Sequence, residues 1–367
     1  MIVANPARSD ITLLWATPTT SIHSTMSTQK AAVHVSQGVS ELRDDVPLPK
    51  LPADNWLLVQ TKAVALNPTD WKNIERAPAP GAIVGCDYAG TVEEVGKAVT
   101  NYKVGDRIAG FVRGGDPADH SNGAFAEHIK AKDGVNMKIP ASMSFEDAAT
   151  LGVGVTTVGQ GLYQELGLPL PPAKVEEQTL VLIYGGSTAT GTLAIQYAKL
   201  SGCEVVATAS PHNFELLRRL GADHVFDYKE PDVGAKIREA TGDKLKLAFD
   251  CIAEGNSFEI TAAAISSTGG HMSALLPVKD YPRSDVKTKL TLGYTALGER
   301  YNEKLDAKPE DYEFGVEFWK RSYDLFESGK IKTHPAEVRS GLAGVPQGLQ
   351  DLKDGKVSGV KLVYKVD

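Results

Sequence analysis

The sequence predicts a two-domain α/β protein, a β-rich domain followed by a doubly wound parallel sheet, on three observations. Residues 180–191 read as a buried strand (LVLIY), a tight glycine turn (GG) and a helix start (STATG). Beyond them, helix and strand patterns alternate as far as residue 275, the signature of repeated β-α units with right-handed crossovers. Ahead of them, short strand signals divided by Gly, Pro and Asp crowd residues 30–138, which suggests a barrel-like or folded sheet.

In chain order, the first 26 residues are rich in Ser and Thr and carry Arg8 and Asp10. Their apolar run, residues 11–16, is too brief and too poorly flanked for a signal peptide. Residues 1–27 read as a disordered leader; Met26 as the working start and a mitochondrial address are the alternatives. Strand signals follow at 56–66, 88–95 and 105–112, and Ser142 or Ser144 is placed to cap a helix with acids in its first turn. A helix is expected over 155–166, then an exposed proline-rich connection over 167–178. The alternating region reads as helix 189–200, strand 204–209, helix 213–220, strand 224–226, helix 233–240, strand 247–251, helix 258–265 and strand 270–275. Residues 311–329 form an amphipathic helix with Phe314, Phe318, Tyr323 and Phe326 available for one face, and residues 355–366 end in a strand.

The bulk composition bounds the function. With 367 residues, 42% of them hydrophobic and 23% charged, the chain can build two cores without staples. A formal charge of −7 argues against a nucleic-acid or anionic-membrane partner. Cys86, Cys203 and Cys251 are odd in number, far apart and free of any CxxC, so neither disulfides nor a zinc knuckle is indicated and a reducing cytoplasm fits. No apolar run approaches the roughly 20 residues of a membrane span.

The glycine turn carries the first chemical signal. Gly185 and Gly186 let the backbone approach an anion, and a helix from about Ser187 aims free N–H groups and a positive dipole end at it. A dinucleotide fingerprint has glycine at its first, third and sixth positions; Gly186 and Gly191 fit, while Thr188 replaces the middle one. A strand-turn-helix without a ligand is the alternative. At the end of the second strand, where an acid would hold a ribose 2′-hydroxyl, the chain has Ser210, Pro211, His212 and Asn213, with Arg218, Arg219 and Tyr228 following. Donors without an acid suit a 2′-phosphate, which favours NADPH over NADH; the same residues can also cap the next helix.

The chain resembles the medium-chain dehydrogenase/reductase superfamily over residues 30–367, and its zinc-free quinone and enoyl reductase branch through Asn67-Pro-Thr-Asp70, Gly85-Cys-Asp-Tyr-Ala-Gly90, Val104-Gly-Asp-Arg107 and the closing GKVSGVKLV. Tyr184-Gly-Gly-Ser-Thr-Ala-Thr190, Ser210-Pro-His-Asn-Phe214 and Val225-Phe-Asp-Tyr228 look like the fungal trans-acting, ToxD-like enoyl reductases that serve polyketide synthases. The resemblance implies a GroES-like catalytic domain at 28–152 and 303–367 and a Rossmann NADPH domain at 153–302. Where zinc-dependent relatives place ligands, this chain has Asn67 or Pro68 and Cys86-Asp87, and residues 113–127 lack cysteine. No metal is therefore expected, and Asp87 is assigned to hydrogen-bonding backbone.

The activity implied is hydride transfer from NADPH to the β-carbon of an α,β-unsaturated thioester carried by an acyl carrier protein or a CoA-like group, with a polyketide synthase as partner. The resemblance implies Lys72 as electrostatic stabiliser or proton source, with a solvated loop lysine as the alternative, Asp70 orienting it, and Thr157 offering a hydroxyl to the substrate carbonyl or the nicotinamide amide. Mitochondrial-type enoyl reductases carry a tyrosine where this chain has residues 77–80, Ala-Pro-Ala-Pro, which leaves the proton donor open with solvent as a contender. Implied cofactor contacts are Thr69, Asp70, Trp71, Lys72, Gly186, Ser187, Thr188, Ala189, Ser210, Pro211, His212, Asn213, Tyr228, Ala274, Leu275, Val357 and Ser358. Thr156, Thr157, Tyr163, Gly293, Tyr294, Thr295 and Leu297 would line the acyl channel, although core packing explains the apolar members equally well. The resemblance favours a monomer, with pairing through the edge of the cofactor sheet as the other arrangement. A stand-alone quinone or alkenal reductase and a non-catalytic NADPH-binding protein are the competing readings.

Overall fold

The structure is a computed structural model that describes Met1, residues 28–76 and residues 79–366; apart from Met1, the expected leader lies outside the described residues. Strands β1 (Thr28–Ser36) and β2 (Val39–Pro47) form an antiparallel ribbon. Strand β3 (Trp56–Ala65) is followed by helix α1 (Pro68–Arg76) and pairs antiparallel with β4 (Asp87–Val95). The sheet grows through β5 (Arg107–Phe111) beside β4, β6 (His128–Lys132) on β3, and β7 (Asn136–Lys138) on β5.

Helix α2 (Phe145–Ala149) is capped by Ser144, whose hydroxyl accepts from the Asp147 amide. Helix α3 (Gly152–Val158) begins three residues before the expected start at 155 and runs on as a π-helical turn over Gly159–Glu165. The early start has a tertiary cause. Asp87 Oδ1 accepts the Val153 N–H at 2.6 Å, so a carboxylate from β4 serves as the cap that no local residue supplies.

The second sheet contains β8 (Leu180–Tyr184), β9 (Glu204–Ala209), β10 (His224–Asp227), β11 (Leu247–Asp250), β12 (Gly270–Ala274) and β13 (Val286–Leu290). Its spatial order is β10-β9-β8-β11-β12-β13 and every neighbouring pair is parallel, as in a doubly wound dinucleotide fold. Helices α4 (Ala189–Leu200), α5 (Phe214–Arg219), α6 (Val233–Ala240) and α7 (Ser257–Ala264) occupy the expected crossovers. Strand β13 has no counterpart in the sequence reading, because Lys287 and Lys289 break its apolar run as suits an exposed edge.

Helix α8 (Pro309–Glu327) buries Phe318, Trp319 and Phe326 in one core with Ile183 and Tyr197 of the parallel sheet layer and Phe111 and Met137 of the β-rich sheet. The two sheets are thus cemented through a shared apolar face. Trp319, fully buried, takes the central place on the helix; Phe314 and Tyr323 only pack against its rim. After β14 (Ala336–Ser340) and α9 (Val345–Lys353), strand β15 (Lys361–Lys365) runs parallel to β14 and antiparallel to β3, which returns the chain to the first sheet. Among the described residues no helix is long and apolar enough to cross a membrane.

Candidate active site

The glycine turn sits at the C-terminal end of β8. Gly185 has φ +77°, a backbone state that favours glycine, and a side chain on Gly186 would run into Leu217 and Ala207. Helix α4 starts at Ala189, where the alternating pattern puts it, and Thr188 is its N-cap: its hydroxyl accepts the Gly191 N–H at 2.9 Å. That cap satisfies Gly191 and leaves the first-turn N–H groups of Ala189 and Thr190 without intrahelical acceptors, the arrangement that binds a pyrophosphate. Thr188 therefore replaces a glycine of the fingerprint with a cap.

The acid-free block at the end of β9 meets the returning chain. His212 Nε2 and Ser358 Oγ are 3.1 Å apart, and Asn213 Nδ2 lies 3.2 Å from the same hydroxyl. Asn213 is buried, whereas Pro211, His212 and Ser358 are exposed. Gly359 (φ +69°) lies over the Asn213 carboxamide so closely that no side chain fits there. Tyr228 follows β10 and packs edge-on to Tyr184, ring centroids 6.4 Å apart. Arg218 lies over the Phe214 ring and Arg219 pairs with Glu215 at 3.7 Å. These contacts bring together His212, Asn213 and Ser358, with Ser210 and Pro211 preceding them in the chain and Tyr228 placed against Tyr184, while Val357 packs against the β-rich core.

At the other end of the cleft, Lys72 on α1 donates to Glu254 Oε2 at 2.6 Å, and Arg76 reaches Glu254 Oε1 at 3.4 Å. Glu254 belongs to the loop after β11. Asp250 Oδ1 shapes that loop by accepting the N–H groups of Ile252 (2.9 Å) and Ala253 (2.8 Å), with Ala253 at φ 55°. The turn presents half-exposed Ile252 against Gly185 and carries Glu254 across to α1. Neither Ile252 nor Glu254 was expected from the sequence; an Asp two residues before a strand-end turn is the only local sign.

Three expectations are corrected here. Asp70 does not orient Lys72: residues two apart on a helix face different ways, and Asp70 is buried with Oδ2 accepting the Asn67 N–H at 2.7 Å. Burial pushes its carboxyl up to about 7. Trp71 lines a cavity of about 250 Å³ with Val39, Ile74 and Leu349, and the Lys72 ammonium lies over its ring, 5.4 Å from the centroid. Tyr163 is a core residue, because its hydroxyl bonds Ser201 Oγ (3.1 Å) and its ring packs on Tyr197 and Phe318. The hydroxyls of Thr156 and Thr295 are committed inside the fold: Thr156 donates to Gly152 O and accepts from Trp319, and Thr295 donates to Leu292 O and accepts from Gln160.

Thr157 keeps a buried hydroxyl facing Gly293, and a Cβ added there would lie 3.4 Å from it. Tyr294 turns its hydroxyl to Thr69 Oγ1 (2.8 Å) and Asn73 Nδ2 (2.9 Å) of α1. Leu297 is buried in the shared core, against which half-buried Leu275 packs, whereas Ala274 at the end of β12 is buried in a separate core with Leu182 and Met272.

Where zinc-dependent relatives would hold a metal, a buried ion pair stands. Lys361 Nζ bonds Asp87 Oδ2 and donates to Asn67 Oδ1 (2.8 Å) and Thr150 O (3.2 Å); Asp87 is 0% and Lys361 3% exposed. Asp87 also binds backbone as expected, through Val153. Burial raises the Cys86 thiol well above its ordinary range, and its sulfur lies 3.5 Å from Tyr294 OH. The donor set does not fit a metal: one carboxylate already neutralised, one protonated thiol and one amide that faces an ammonium.

Comparison with known proteins agrees with this geometry. Residues 53–141 match the alcohol dehydrogenase GroES-like domain, and residues 189–275 match the zinc-binding dehydrogenase family. The trans-enoyl reductase ACTTS2 of Alternaria alternata is 57% identical over 93% of this chain and 100% of its own. The trans-enoyl reductase TOXD of Cochliobolus carbonum is 51% identical over 76% of this chain and 94% of its own. Among solved structures, the CurK enoyl reductase is 21% identical with a TM-score of 0.74, covering 92% of this chain and all of that one. An alcohol dehydrogenase superfamily protein from Novosphingobium aromaticivorans is 26% identical with a TM-score of 0.76, over 93% and 100% of the two chains. The chain belongs to the trans-enoyl reductases of the medium-chain dehydrogenase/reductase superfamily, whose fold implies a nicotinamide cofactor.

Proposed function

We propose that this protein reduces the carbon–carbon double bond of α,β-unsaturated thioesters with NADPH, acting in trans on chains carried by an acyl carrier protein of a polyketide synthase. The full-length match to trans-enoyl reductases carries this reading. The bound nicotinamide supplies the hydride.

The chain's own residues bind, orient and stabilise. The N–H groups of Ala189 and Thr190 receive the pyrophosphate, and Ser210, His212, Asn213, Tyr228 and Ser358 receive the 2′-phosphate. Lys72, 12% exposed in its side chain and held by Glu254, stabilises negative charge that develops on the thioester oxygen. Thr157 offers its hydroxyl to the substrate carbonyl or to the nicotinamide amide. Purified protein is given NADPH with a crotonyl thioester and, separately, with a quinone. Oxidation with the thioester is expected; oxidation with the quinone alone would make it a stand-alone quinone reductase, and tight NADPH binding with neither oxidation would make it a cofactor-binding protein.

A further inference from the structure

Tyr294 combines features that a core tyrosine does not need. Its hydroxyl is the meeting point of three side chains from the β-rich domain: Thr69 Oγ1 at 2.8 Å, Asn73 Nδ2 at 2.9 Å and Cys86 Sγ at 3.5 Å. Its ring is fixed by Phe111, centroids 5.5 Å apart, and by stacking on Tyr301 at 5.1 Å. It follows Gly293, the residue that faces Thr157, and its partners Thr69 and Asn73 flank Lys72 on α1. The hydroxyl thus lies among the groups assigned above to the reacting end of the cleft.

The hydrogen-bond inventory gives this hydroxyl a direction. The Asn73 amide nitrogen can only donate, so it occupies one phenolic lone pair. The Thr69 hydroxyl, at 2.8 Å, is able to donate to the other and is itself half-buried, open to exchange with water. With Thr69 donating, the phenolic proton points away from both, on the side where the weak acceptor Cys86 Sγ lies 3.5 Å off. If that proton leaves, two donors remain in place to hold the oxyanion. Burial keeps the phenol above its ordinary range, so it holds its proton at working pH.

We infer that Tyr294 is the proton donor of the reaction, giving its phenolic proton to the α-carbon of the reduced thioester. Once hydride has added at the β-carbon, the electron pair of the former double bond resides on the thioester enolate. The Tyr294 O–H bond breaks, its proton forms the new C–H bond at the α-carbon, and its electron pair stays on the phenolate oxygen. Thr69 passes a proton to that oxygen and takes one from water, which restores the starting state. Reduction by two electrons and addition of one proton and one hydride are thereby balanced.

The inference rests on the enoyl-reductase reading. Tyr294→Phe is assayed with NADPH and a crotonyl thioester in deuterium oxide, with NADPH binding followed separately by fluorescence. The expected result is a fall in kcat of roughly 100-fold, NADPH affinity within about threefold of wild type, and deuterium at the α-carbon without facial preference. A variant that keeps both kcat and facial preference overturns the inference. If Tyr294→Phe binds no NADPH and does not fold, Thr69→Val/Asn73→Leu keeps the phenol but removes both donors to its oxyanion; unchanged kcat and facial preference in that variant overturn the inference as well. Wild-type enzyme inactive on the thioester would instead sink the reading beneath it.

Discussion

Lys72 and Glu254 are 182 positions apart in sequence, yet their side chains meet at 2.6 Å where α1 of the β-rich domain faces the loop after β11. The pair spans the mouth of the cleft and fixes the direction of the ammonium. Glu254 is 45% exposed in its side chain, so the pair contributes only about 0–1 kcal/mol to stability. Its effect on catalysis is expected to be larger. Lys72→Ala should lower kcat on the order of 100-fold and Glu254→Gln roughly tenfold, with melting temperatures and NADPH affinity near wild type. The wild-type kcat should also fall as salt rises, a dependence that Glu254→Gln loses. Equal loss of stability and kcat in Glu254→Gln would show a scaffold contact instead.

The acid-free rim of Ser210, His212, Asn213 and Ser358 predicts how the cofactor is chosen. Ser210→Asp places a carboxylate where a 2′-phosphate would bind and where a 2′-hydroxyl would welcome an acceptor. The ratio of kcat/KM for NADPH over NADH should fall by at least about tenfold, a difference of roughly 1.4 kcal/mol. An unchanged ratio would remove the assignment of this rim to the phosphate.

The Asp87–Lys361 pair predicts a stability loss separate from catalysis. Both side chains are almost completely buried, and removal of one leaves the other charge without a partner. Lys361→Met should cost about 3–5 kcal/mol in urea unfolding, while Lys361→Met/Asp87→Leu recovers much of that loss. A double variant as unstable as the single one would show that the ammonium matters mainly through Asn67 and Thr150.

Asp70 predicts a pH dependence. Its folded carboxyl is raised to about 7 by burial, whereas an unfolded chain gives an ordinary value near 4. Between these values the folded state keeps a proton that the unfolded state has lost, so stability falls as pH rises from about 4 to about 7 and levels off above. Across that window the loss is on the order of 4 kcal/mol. Asp70→Asn keeps an acceptor for the Asn67 N–H but carries no charge, so denaturation at pH 5 and pH 8 should show a much flatter profile than wild type. The neighbouring charges, Asp87 and Lys361, are present in both proteins and cancel in the comparison.

Much of the parallel sheet was legible because its signals are local: β8, α4 and β9 are written in apolar runs, glycines and caps within a few residues of one another. The second domain's alternation pointed to the doubly wound order for the same reason. Features set by distant partners were not legible. Helix α3 starts early because Asp87 reaches it from another strand, and β13 is an edge whose lysines mask it. In the site, the resemblance brought Ser358 to His212 and Asn213, and Thr157 to Gly293. It offered Asp70 as the partner of Lys72, the nearest carboxylate in sequence; helix geometry sends that side chain inward, and Glu254 arrives from the other domain. Lys361 as the partner of Asp87 carried no local sign at all.

Strand β15 follows the other described elements in chain order, and the turn before it carries Ser358 while the strand itself carries Lys361. All six strands of the parallel sheet precede it, so that sheet and the glycine turn are complete in sequence before the residues that close on His212 and pair with Asp87. With the rim assigned to the 2′-phosphate as proposed, tight cofactor binding is expected only once this strand docks beside β3. A chain stopped short of β15 forfeits the Ser358 contacts to His212 and Asn213 and the Asp87–Lys361 ion pair together.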